Sequence, residues 1–401
     1  MKAIKILFTA TAILFACYLL YINTKLFYKP AYTPLNNDVV KQYHYLKSKM
    51  DAGAAIDMQQ LFPEGYMFMN ALYGITAAEI AIAAEGKLKQ EAYMEGYKSY
   101  VNMDSEAGRS IFPDKLPLPY GAYYRGWTTY QLGKLLAAGD SIRQDEELVL
   151  AFKTGCHEIA TAIQHSPSPY LESYEGFAWP ADMMLCLAAL ALHDRLFEPV
   201  YDSIIAKWVS SVKLRLDIHG MLPHRVHAND GMPAENARGC SMSLMLCFLK
   251  DIDSIFYHQQ YGLYKHYFLT YRFGLPGVRE YPLGTTGSAD ADSGPVLLDV
   301  GGAASIVGVR VFSAEKDLPV AIGLRNSIEA FGMSVQGSAQ KKYLFGVLPM
   351  ADAFIAWAGC TELKQNESLV TDKPWRRVFQ LYSAATIAVL SLLLLLMWRK
   401  K

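Results

Sequence analysis

The chain has 401 residues, 38 basic and 38 acidic, with a formal net charge of +0 and an isoelectric point near 7.1. This balance argues against a nucleic-acid or other polyanionic partner, because such proteins carry a strongly basic surface. Hydrophobic residues make up 52% of the chain, which is high for a soluble protein, and the excess lies at the two ends.

The first segment, residues 1–27, is predicted to be a membrane anchor. Residues 6–24 carry no charge, follow two lysines and are just long enough to span a bilayer. A cleaved signal peptide has the same basic start and apolar middle, but no small-x-small cleavage site follows the apolar run. Residues 14–17 (Leu-Phe-Ala-Cys) fit a lipoprotein cleavage box poorly because of Phe15. We therefore expect the anchor to be retained.

The last segment, residues 376–401, is predicted to be a second transmembrane helix with a cytoplasmic tail. Residues 378–398 are uncharged and end in Arg399-Lys400-Lys401, a cationic stop that favours a cytoplasmic C-terminus. The two N-terminal lysines favour a cytoplasmic N-terminus, although two arginines precede the second span on the other side. We expect a bacterial inner-membrane protein whose residues 28–375 form one domain in the periplasm.

Helical periodicity dominates this domain, and no sustained strand alternation occurs. Apolar helices are predicted at 65–83, 120–137, 181–195, 239–250, 296–312 and 344–358, and amphipathic helices at 36–50, 86–103, 144–164, 199–215, 254–272 and 317–331. The apolar helices begin at intervals of 48 to 61 residues, which is typical of stacked helix pairs. Six pairs either extend as a solenoid or close into a ring. We predict an all-α (α/α)6 toroid, because the inner helices are apolar on both faces.

The connections from an amphipathic to an apolar helix are long and rich in Trp, Tyr and Pro. Loops of this length are usually functional or disordered, and their aromatic content argues against disorder. In a toroid they all emerge at one end, so their polar side chains converge on a funnel, where facing carboxylates divide acid and base roles. The candidates are Glu64, Glu172, Tyr174, Glu175, Trp179, Asp182, His224, Arg225, His227, Glu235, Arg279, Glu280, Asp290 and Asp292.

Several candidates also fit purely structural roles. Asp182 suits the first turn of a helix, and Asp292 suits an N-cap. The run from Asp290 to Pro295 contains two acids, a glycine and a proline, which is more than a single helix cap requires and favours a functional role. It lacks the ligand pattern of a calcium loop. Glu172 and Glu175 also fit solvated loop charges.

No metal or cofactor is predicted. His224 and His227 lack an evident third metal ligand. No C-x-x-C pair occurs in the domain, and its odd number of cysteines excludes full internal pairing. These cysteines are Cys156, Cys186, Cys240, Cys247 and Cys360.

Three segments resemble the linalool dehydratase/isomerase-like family. They are Tyr124-Arg125-Gly126, residues 179–196 with Trp-Pro-Ala-Asp at their start, and residues 287–294 with Asp-x-Asp-Ser-Gly at their end. The resemblance runs in order across most of residues 60–315. It implies an α/α toroid and cofactor-independent acid/base chemistry on a small terpene alcohol, in an apolar pocket outside the cytoplasmic membrane.

The chain departs from this family at the pocket. A cysteine pair of the family's named enzyme aligns with Ser173 and Asp182, a pocket histidine with Trp127, and a pocket tyrosine with Cys240. These departures imply that the fold carries over and the linalool chemistry does not. A carboxyl at Asp182 is more similar to the sites of sugar-acting toroids, and fold alone does not decide between them.

The first hypothesis is a membrane-tethered lyase or isomerase acting on a small or isoprenoid alcohol. Asp182 is the predicted acid, and Asp290 or Asp292 the base or substrate-orienting group. The second hypothesis is a glycan-active hydrolase, lyase or uronyl epimerase; the third is a non-catalytic ring that binds a ligand or scaffolds a membrane complex, and a homo-oligomer is left open. The predicted substrate-binding residues are Glu64, Tyr124, Trp127, Glu172, Glu175, Trp179, His224, Arg225, Cys240, Arg279 and Glu280.

Overall fold

The protein is mostly helical, as predicted. A computed structural model describes residues 2–139, 145–364 and 373–399. The helices are α1 (Lys2–Lys25), α2 (Asn37–Asp51), α3 (Ala54–Leu61), α4 (Gly65–Ala83), α5 (Gly86–Met103), α6 (Glu106–Arg109), α7 (Gly121–Leu136), α8 (Glu146–His165), α9 (Pro180–Leu196), α10 (Asp202–Val212), α11 (Gly239–Ile252), α12 (Ser254–Phe268), α13 (Gly302–Ala314), α14 (Leu318–Phe331), α15 (Pro349–Gly359) and α16 (Pro374–Arg399).

Short strands occur only in the connections between these helices, within the described residues. They are β1 (Phe177–Ala178), β2 (Arg225–His227), β3 (Pro233–Glu235), β4 (Leu269–Arg272), β5 (Leu275–Val278), β6 (Val296–Leu297), β7 (Val300–Gly301), β8 (Val335–Gln336) and β9 (Lys341–Lys342). β1, β2 and β3 form one antiparallel sheet in which Phe177 pairs with His227. This sheet joins the loop before α9 to the loop before α11. The other strands form three two-stranded hairpins.

The six predicted apolar helices correspond to α4, α7, α9, α11, α13 and α15, and they form the centre of the domain. Each contacts the next in chain order, and α15 contacts α4. Glycine permits a close approach between α7 and α9. A Cβ atom at Gly126 would lie 2.8 Å from Cβ of Leu185 and 3.2 Å from the carbonyl oxygen of Asp182.

The amphipathic helices pack against the central ones. α5 packs on α4, α8 on α7, α10 on α9, α12 on α11, α14 on α13 and α2 on α15. In α8 the buried residues recur at intervals of three and four, so one face of the helix packs on the core. They are Leu148, Phe152, Cys156 and Ile159.

Three predicted boundaries were wrong for physical reasons. The helix predicted at 296–312 begins at Gly302, because residues 296–301 form the β6–β7 hairpin. The helix predicted at 254–272 ends at Phe268, because residues 269–272 pair with β5. The last apolar helix begins at Pro349 rather than at 344, because proline at the first helical position sets the start.

In the part of the chain that the structure describes, three helices, α1, α4 and α16, are long and apolar enough to cross a membrane by length and composition. The most apolar stretch of α4 is 78% buried within the protein, so α4 belongs to the core. The corresponding stretches of α1 and α16 are only 11% and 6% buried. This contrast indicates membrane association through α1 and α16.

α1 and α16 lie side by side and antiparallel. Nζ of Lys5 donates to the carbonyl oxygen of Met397 at 2.6 Å, and Nε1 of Trp398 donates to Oγ1 of Thr9 at 3.1 Å. Their other ends dock on α14 and β5 through one apolar cluster, formed by Ile22, Leu26, Leu275, Ala330, Trp375 and Phe379.

Candidate active site

Three carboxyl groups at the N-terminal end of the central helices lie within range of one another's charge. Glu64 immediately precedes α4, Asp182 lies in the first turn of α9, and Asp292 lies in the connection before α13. The charges of Glu64 and Asp292 both act on Asp182. We call these three residues the acid cluster. The structure therefore brings together carboxylates that are up to 228 positions apart in the sequence.

Asp182 is the most strongly perturbed member of the acid cluster. Its Oδ2 accepts a hydrogen bond of 2.5 Å from Oγ of Ser173. Burial raises the pKa of Asp182 from its ordinary value of 3.8 to about 7; the Ser173 bond opposes the rise, and the charges of Asp292 and Glu64 add to it. Near neutral pH this carboxyl exchanges readily between its acid and carboxylate forms.

Asp292 lies beside a buried histidine. Its Oδ2 is 3.8 Å from Nε2 of His224, whose Nδ1 lies 3.0 Å from Oγ of Ser241. Burial and the nearby Arg238 guanidinium lower the pKa of His224 to about 4, so its imidazole is neutral at pH 7. Partial burial and the charge of Asp290 raise the pKa of Asp292, and solvent around its 65% exposed side chain limits that rise.

Arg238 forms an ion pair with Asp290, one of the two carboxylates predicted as the base. The Arg238 guanidinium donates to both oxygens of Asp290, at 2.6 and 2.9 Å, and through Nε to Oε1 of Glu280 at 2.9 Å. The hydrogen bonds from Arg238 lower the pKa of Asp290 to about 2. Asp290 is therefore an ionised partner of Arg238, and of the two candidate bases only Asp292 keeps a carboxylate that no arginine engages.

Glu280 and Cys240 form a buried pair behind this ion pair. Glu280 is fully buried, and its Oε1 also accepts a hydrogen bond of 3.0 Å from Sγ of Cys240. Burial raises the pKa of both groups. Oε2 of Glu280 has no hydrogen-bond partner among the described residues. The arrangement places Cys240 in the site as a neutral thiol and not as a nucleophilic thiolate.

Tyr123, the residue before the predicted Tyr124, lies within range of the charges of the acid cluster. The Tyr123 ring stacks on Phe112, with centroids 5.6 Å apart, and contacts Phe68 edge-on at 5.9 Å. Its hydroxyl is buried and has no partner in the described part of the chain. Burial raises the pKa of Tyr123 well above its ordinary value, and Asp182 and Glu64 add to the rise.

Tyr124 points the other way, because neighbouring residues on a helix lie about 100° apart. Its hydroxyl donates to the carbonyl oxygen of Met103 at 3.2 Å and to Oδ1 of Asp104 at 3.1 Å. Both acceptors lie at the end of α5, away from the acid cluster. The Tyr124 hydroxyl is therefore engaged at the end of α5, and the expected role of Tyr124 in lining the pocket stays a prediction.

The remaining predicted aromatics lie around the acid cluster at different depths. Trp127 is almost fully buried, 5.4 Å from the Phe68 ring, and so forms part of the packing below the site. The Tyr174 hydroxyl donates to Oε1 of Glu64 at 2.6 Å. Trp179 contacts Tyr174 edge-on at 6.2 Å. Tyr174 and Trp179 therefore connect Glu64 with the start of α9.

Arg279 and Glu175 do not join this site. Arg279 is buried, but its guanidinium pairs with Asp299 at 3.3 Å and donates to the carbonyl oxygen of Tyr281 at 3.0 Å. It therefore supports the loop that carries Glu280. Glu175 lies exposed in the turn before β1.

Glu172 and Arg225 border a separate groove with a volume of about 910 Å³. Oε1 of Glu172 accepts from the backbone nitrogen of Gly176 at 2.6 Å, and Nε of Arg225 donates to Glu235 at 2.6 Å. His227 borders the same groove and not the site of His224. Within the described ranges, no three or more His, Cys, Asp or Glu side chains are grouped to hold a metal ion.

Comparison of the chain with protein-family models and with curated proteins finds no match. The resemblance to the linalool dehydratase/isomerase-like family therefore stays a prediction that the three segments carry. Ser173 and Asp182, the positions aligned with the family's cysteine pair, are in direct contact. That contact agrees with the alignment at one point and does not test membership of the family.

Proposed function

We propose that the protein is a membrane-tethered acid/base enzyme, a lyase or isomerase that acts on an alcohol at the acid cluster. The observation that carries this proposal is the partly buried Asp182, which Ser173 holds and whose pKa is raised to about 7. A general acid works best when its pKa lies near the working pH, because it then holds a proton and releases it readily. Solvated carboxylates of ordinary pKa would instead favour a non-catalytic ring.

The residues present account for both proton transfers of a dehydration. Protonated Asp182 donates its proton to the substrate hydroxyl, so that the carbon–oxygen bond breaks and water leaves. The faces of aromatic rings such as Phe68 and Tyr123 stabilise the positive charge that develops on carbon. The carboxylate of Asp292 then takes a proton from the adjacent carbon, and a double bond forms. Running the steps in reverse hydrates the alkene, and the two in succession isomerise the alcohol.

The fold we propose for this enzyme is the (α/α)6 toroid. The cyclic order of contacts from α4 through α15 and back to α4 supports it, as does the packing of one amphipathic helix on each central helix. In such a ring the connections before the central helices lie together at one end. That placement accounts for the convergence on one acid cluster of Glu64 and Asp292, which precede α4 and α13, and Asp182, which lies in the first turn of α9.

We propose the bacterial inner membrane as the location, with α1 and α16 as the spans and the domain on the periplasmic side. The basic residues at both chain ends support this orientation. A reporter that is active only in the periplasm, fused after Lys401, is expected to stay silent. Activity of that reporter would overturn the orientation.

One observation favours a glycan-active enzyme as the second candidate. Two further carboxyls, Glu64 and Asp292, flank Asp182, and the Trp179 ring stacks on Phe177 at 5.9 Å. Paired carboxyls beside stacked aromatic rings are the usual machinery for cleaving a glycosidic bond.

A ligand screen on the full chain in detergent separates these candidates. Terpene alcohols are compared with oligosaccharides and uronates by the rise in melting temperature, since a ligand stabilises the folded state that it binds. We expect alcohols to stabilise the wild type and Asp352→Asn, and to stabilise Asp182→Asn less. Asp352 is a matched control because burial also raises its pKa to about 7, outside the acid cluster. Stabilisation by glycans alone would favour the second candidate, and no shift with any ligand would contradict both.

A further inference from the structure

Large apolar side chains are exposed at high density in two connections, residues 271–298 and 331–348. In the described part of the domain, 24 large apolar side chains are exposed, and 12 of them lie in these two stretches. The most exposed are Phe273, Leu283, Leu297, Leu298, Phe345 and Val347, at 57 to 80%. We call the two stretches together the apolar rim. Exposed apolar surface concentrated in this way marks a contact with a partner or a membrane.

The apolar rim is continuous with the two terminal helices. In the first stretch, the Phe273 ring contacts Tyr382 of α16 edge-on, with centroids 5.8 Å apart. Beside the second stretch, Nζ of Lys25, the last residue of α1, donates to Oγ of Ser334 at 2.9 Å. The rim thus borders both helices where they leave the domain. A bilayer that holds α1 and α16 is therefore the nearest partner for these side chains.

The apolar rim also shares its backbone with the acid cluster. Asp292 lies four residues before the β6–β7 hairpin, whose turn exposes Leu298. At that hairpin, Nε of Arg272 donates to the carbonyl oxygen of Leu298 at 2.8 Å. The backbone nitrogen of Glu280 donates to the carbonyl oxygen of Asp299 at 3.0 Å. The loop that carries Asp292 therefore connects the site with the rim.

We propose that the apolar rim rests on the bilayer beside α1 and α16, so that the acid cluster receives its ligand from the lipid. The ligand class is an alcohol with an apolar chain long enough to partition into the membrane. The contact of the rim with lipid rests on the geometry and on membrane anchorage alone. The ligand class rests, in addition, on the proposed function.

The contact is tested on the full chain in vesicles of phosphatidylcholine and phosphatidylglycerol. Spin labels are attached at Val347→Cys and Leu298→Cys in a Cys17→Ser background, because Cys17 is an exposed native cysteine. Ile255→Cys is the matched aqueous control, at 70% exposure in the first turn of α12. Val389→Cys, within α16, reports on anchorage itself. Collisions with oxygen, which concentrates in lipid, are compared with collisions with a water-soluble nickel complex.

We expect the oxygen-to-nickel ratio at both rim positions to exceed that at Ile255 severalfold and to approach that at Val389. Rim ratios equal to the ratio at Ile255, with a high ratio at Val389, would overturn the proposal while leaving anchorage intact. A low ratio at Val389 would refute anchorage and the rim contact together.

A separate experiment tests the proposed ligand class. The double variant Leu298→Asp with Val347→Asp places charge on the rim at two exposed positions, where the fold tolerates polar residues. We expect it to lose the thermal response to a long-chain alcohol dissolved in the vesicles and to keep the response to a short alcohol added in water. Loss of neither response would overturn lipid delivery. Absence of both responses in the wild type would refute the proposed function and leave the label result standing.

Discussion

Replacing Asp182 with asparagine is expected to change how stability depends on pH. Asparagine keeps the shape of the side chain and an oxygen that accepts the Ser173 hydrogen bond, but it cannot ionise. In the unfolded chain the Asp182 carboxyl loses its proton near pH 3.8, whereas in the folded protein it keeps the proton up to about pH 7. Between these values the folded state binds one more proton, so the free energy of unfolding falls as pH rises and is level above pH 7.

The size of this effect follows from the pKa values. The rise from 3.8 to about 7, at about 1.4 kcal/mol per unit, corresponds to about 4 kcal/mol between pH 4 and pH 8. The Asp182 side chain keeps some solvent contact, so we take about 2–4 kcal/mol as the expected cost of ionising Asp182 in the wild type. Asp182→Asn removes that cost, and for a domain of this size the change corresponds to several degrees in melting temperature.

The assay is thermal unfolding of the full chain in detergent between pH 5 and pH 8. The wild type is expected to lose stability across this window by more than Asp182→Asn does. Asp352→Asn calibrates the assay, because burial also raises the pKa of Asp352 to about 7. If Asp352→Asn flattens the pH profile and Asp182→Asn leaves it unchanged, the reasoning about Asp182 is refuted.

Three further substitutions test the placement of single residues, and two of them have a matched control variant. Tyr123→Phe removes a buried hydroxyl without a described partner and keeps the ring face, so unfolding should be unchanged or up to about 1 kcal/mol harder, whereas Tyr124→Phe should cost about 1 kcal/mol. An equal loss of stability in the two variants would contradict the unpaired hydroxyl of Tyr123. Asp290→Asn removes a partner of Arg238 that is 46% exposed, so denaturant unfolding should show a loss of about 1 kcal/mol. That loss is present above pH 3.8 and disappears as pH falls through about 2; a loss that persists at pH 2 would exclude the ion pair as its cause. Gly126→Ala should cost about 1–3 kcal/mol by overpacking α7 against α9, whereas Gly262→Ala, where a Cβ meets open space, should stabilise α12 by up to about 1 kcal/mol. Similar melting temperatures for the two alanine variants would refute the close approach at Gly126.

Most helices were predictable because each central helix is apolar throughout and each amphipathic helix has one apolar stripe. Periodicity misled us where tertiary pairing takes over. Residues 296–301 read as the start of a helix, yet they form a hairpin that crowds Glu280, so that a Cβ at Gly301 would lie 2.8 Å from its Oε2.

The site was predictable only in part, because loop composition shows which residues converge and not which way each one faces. The loops predicted that Asp182 and Asp292 act together, and the charge of Asp292 does act on Asp182, but the orientation of Tyr123 and Tyr124 depends on the rotation of α7. Arg238 carried a usable signal that we overlooked: it is the last residue before an apolar helix and faces an acid-rich loop. Arg279 looked equivalent in composition, and only its contacts with Asp299 and Tyr281 assign it to the loop.

Exchange of the alcohol oxygen with solvent tests the central claim most directly. The full chain is incubated with a tertiary terpene alcohol in water enriched in heavy oxygen, and the label in the recovered alcohol is measured by mass spectrometry. Reversible dehydration by Asp182 predicts label uptake with the wild type and Asp352→Asn, and little with Asp182→Asn. Uptake that is equal in Asp182→Asn and the wild type, or no uptake with a series of such alcohols, would contradict Asp182 as the general acid.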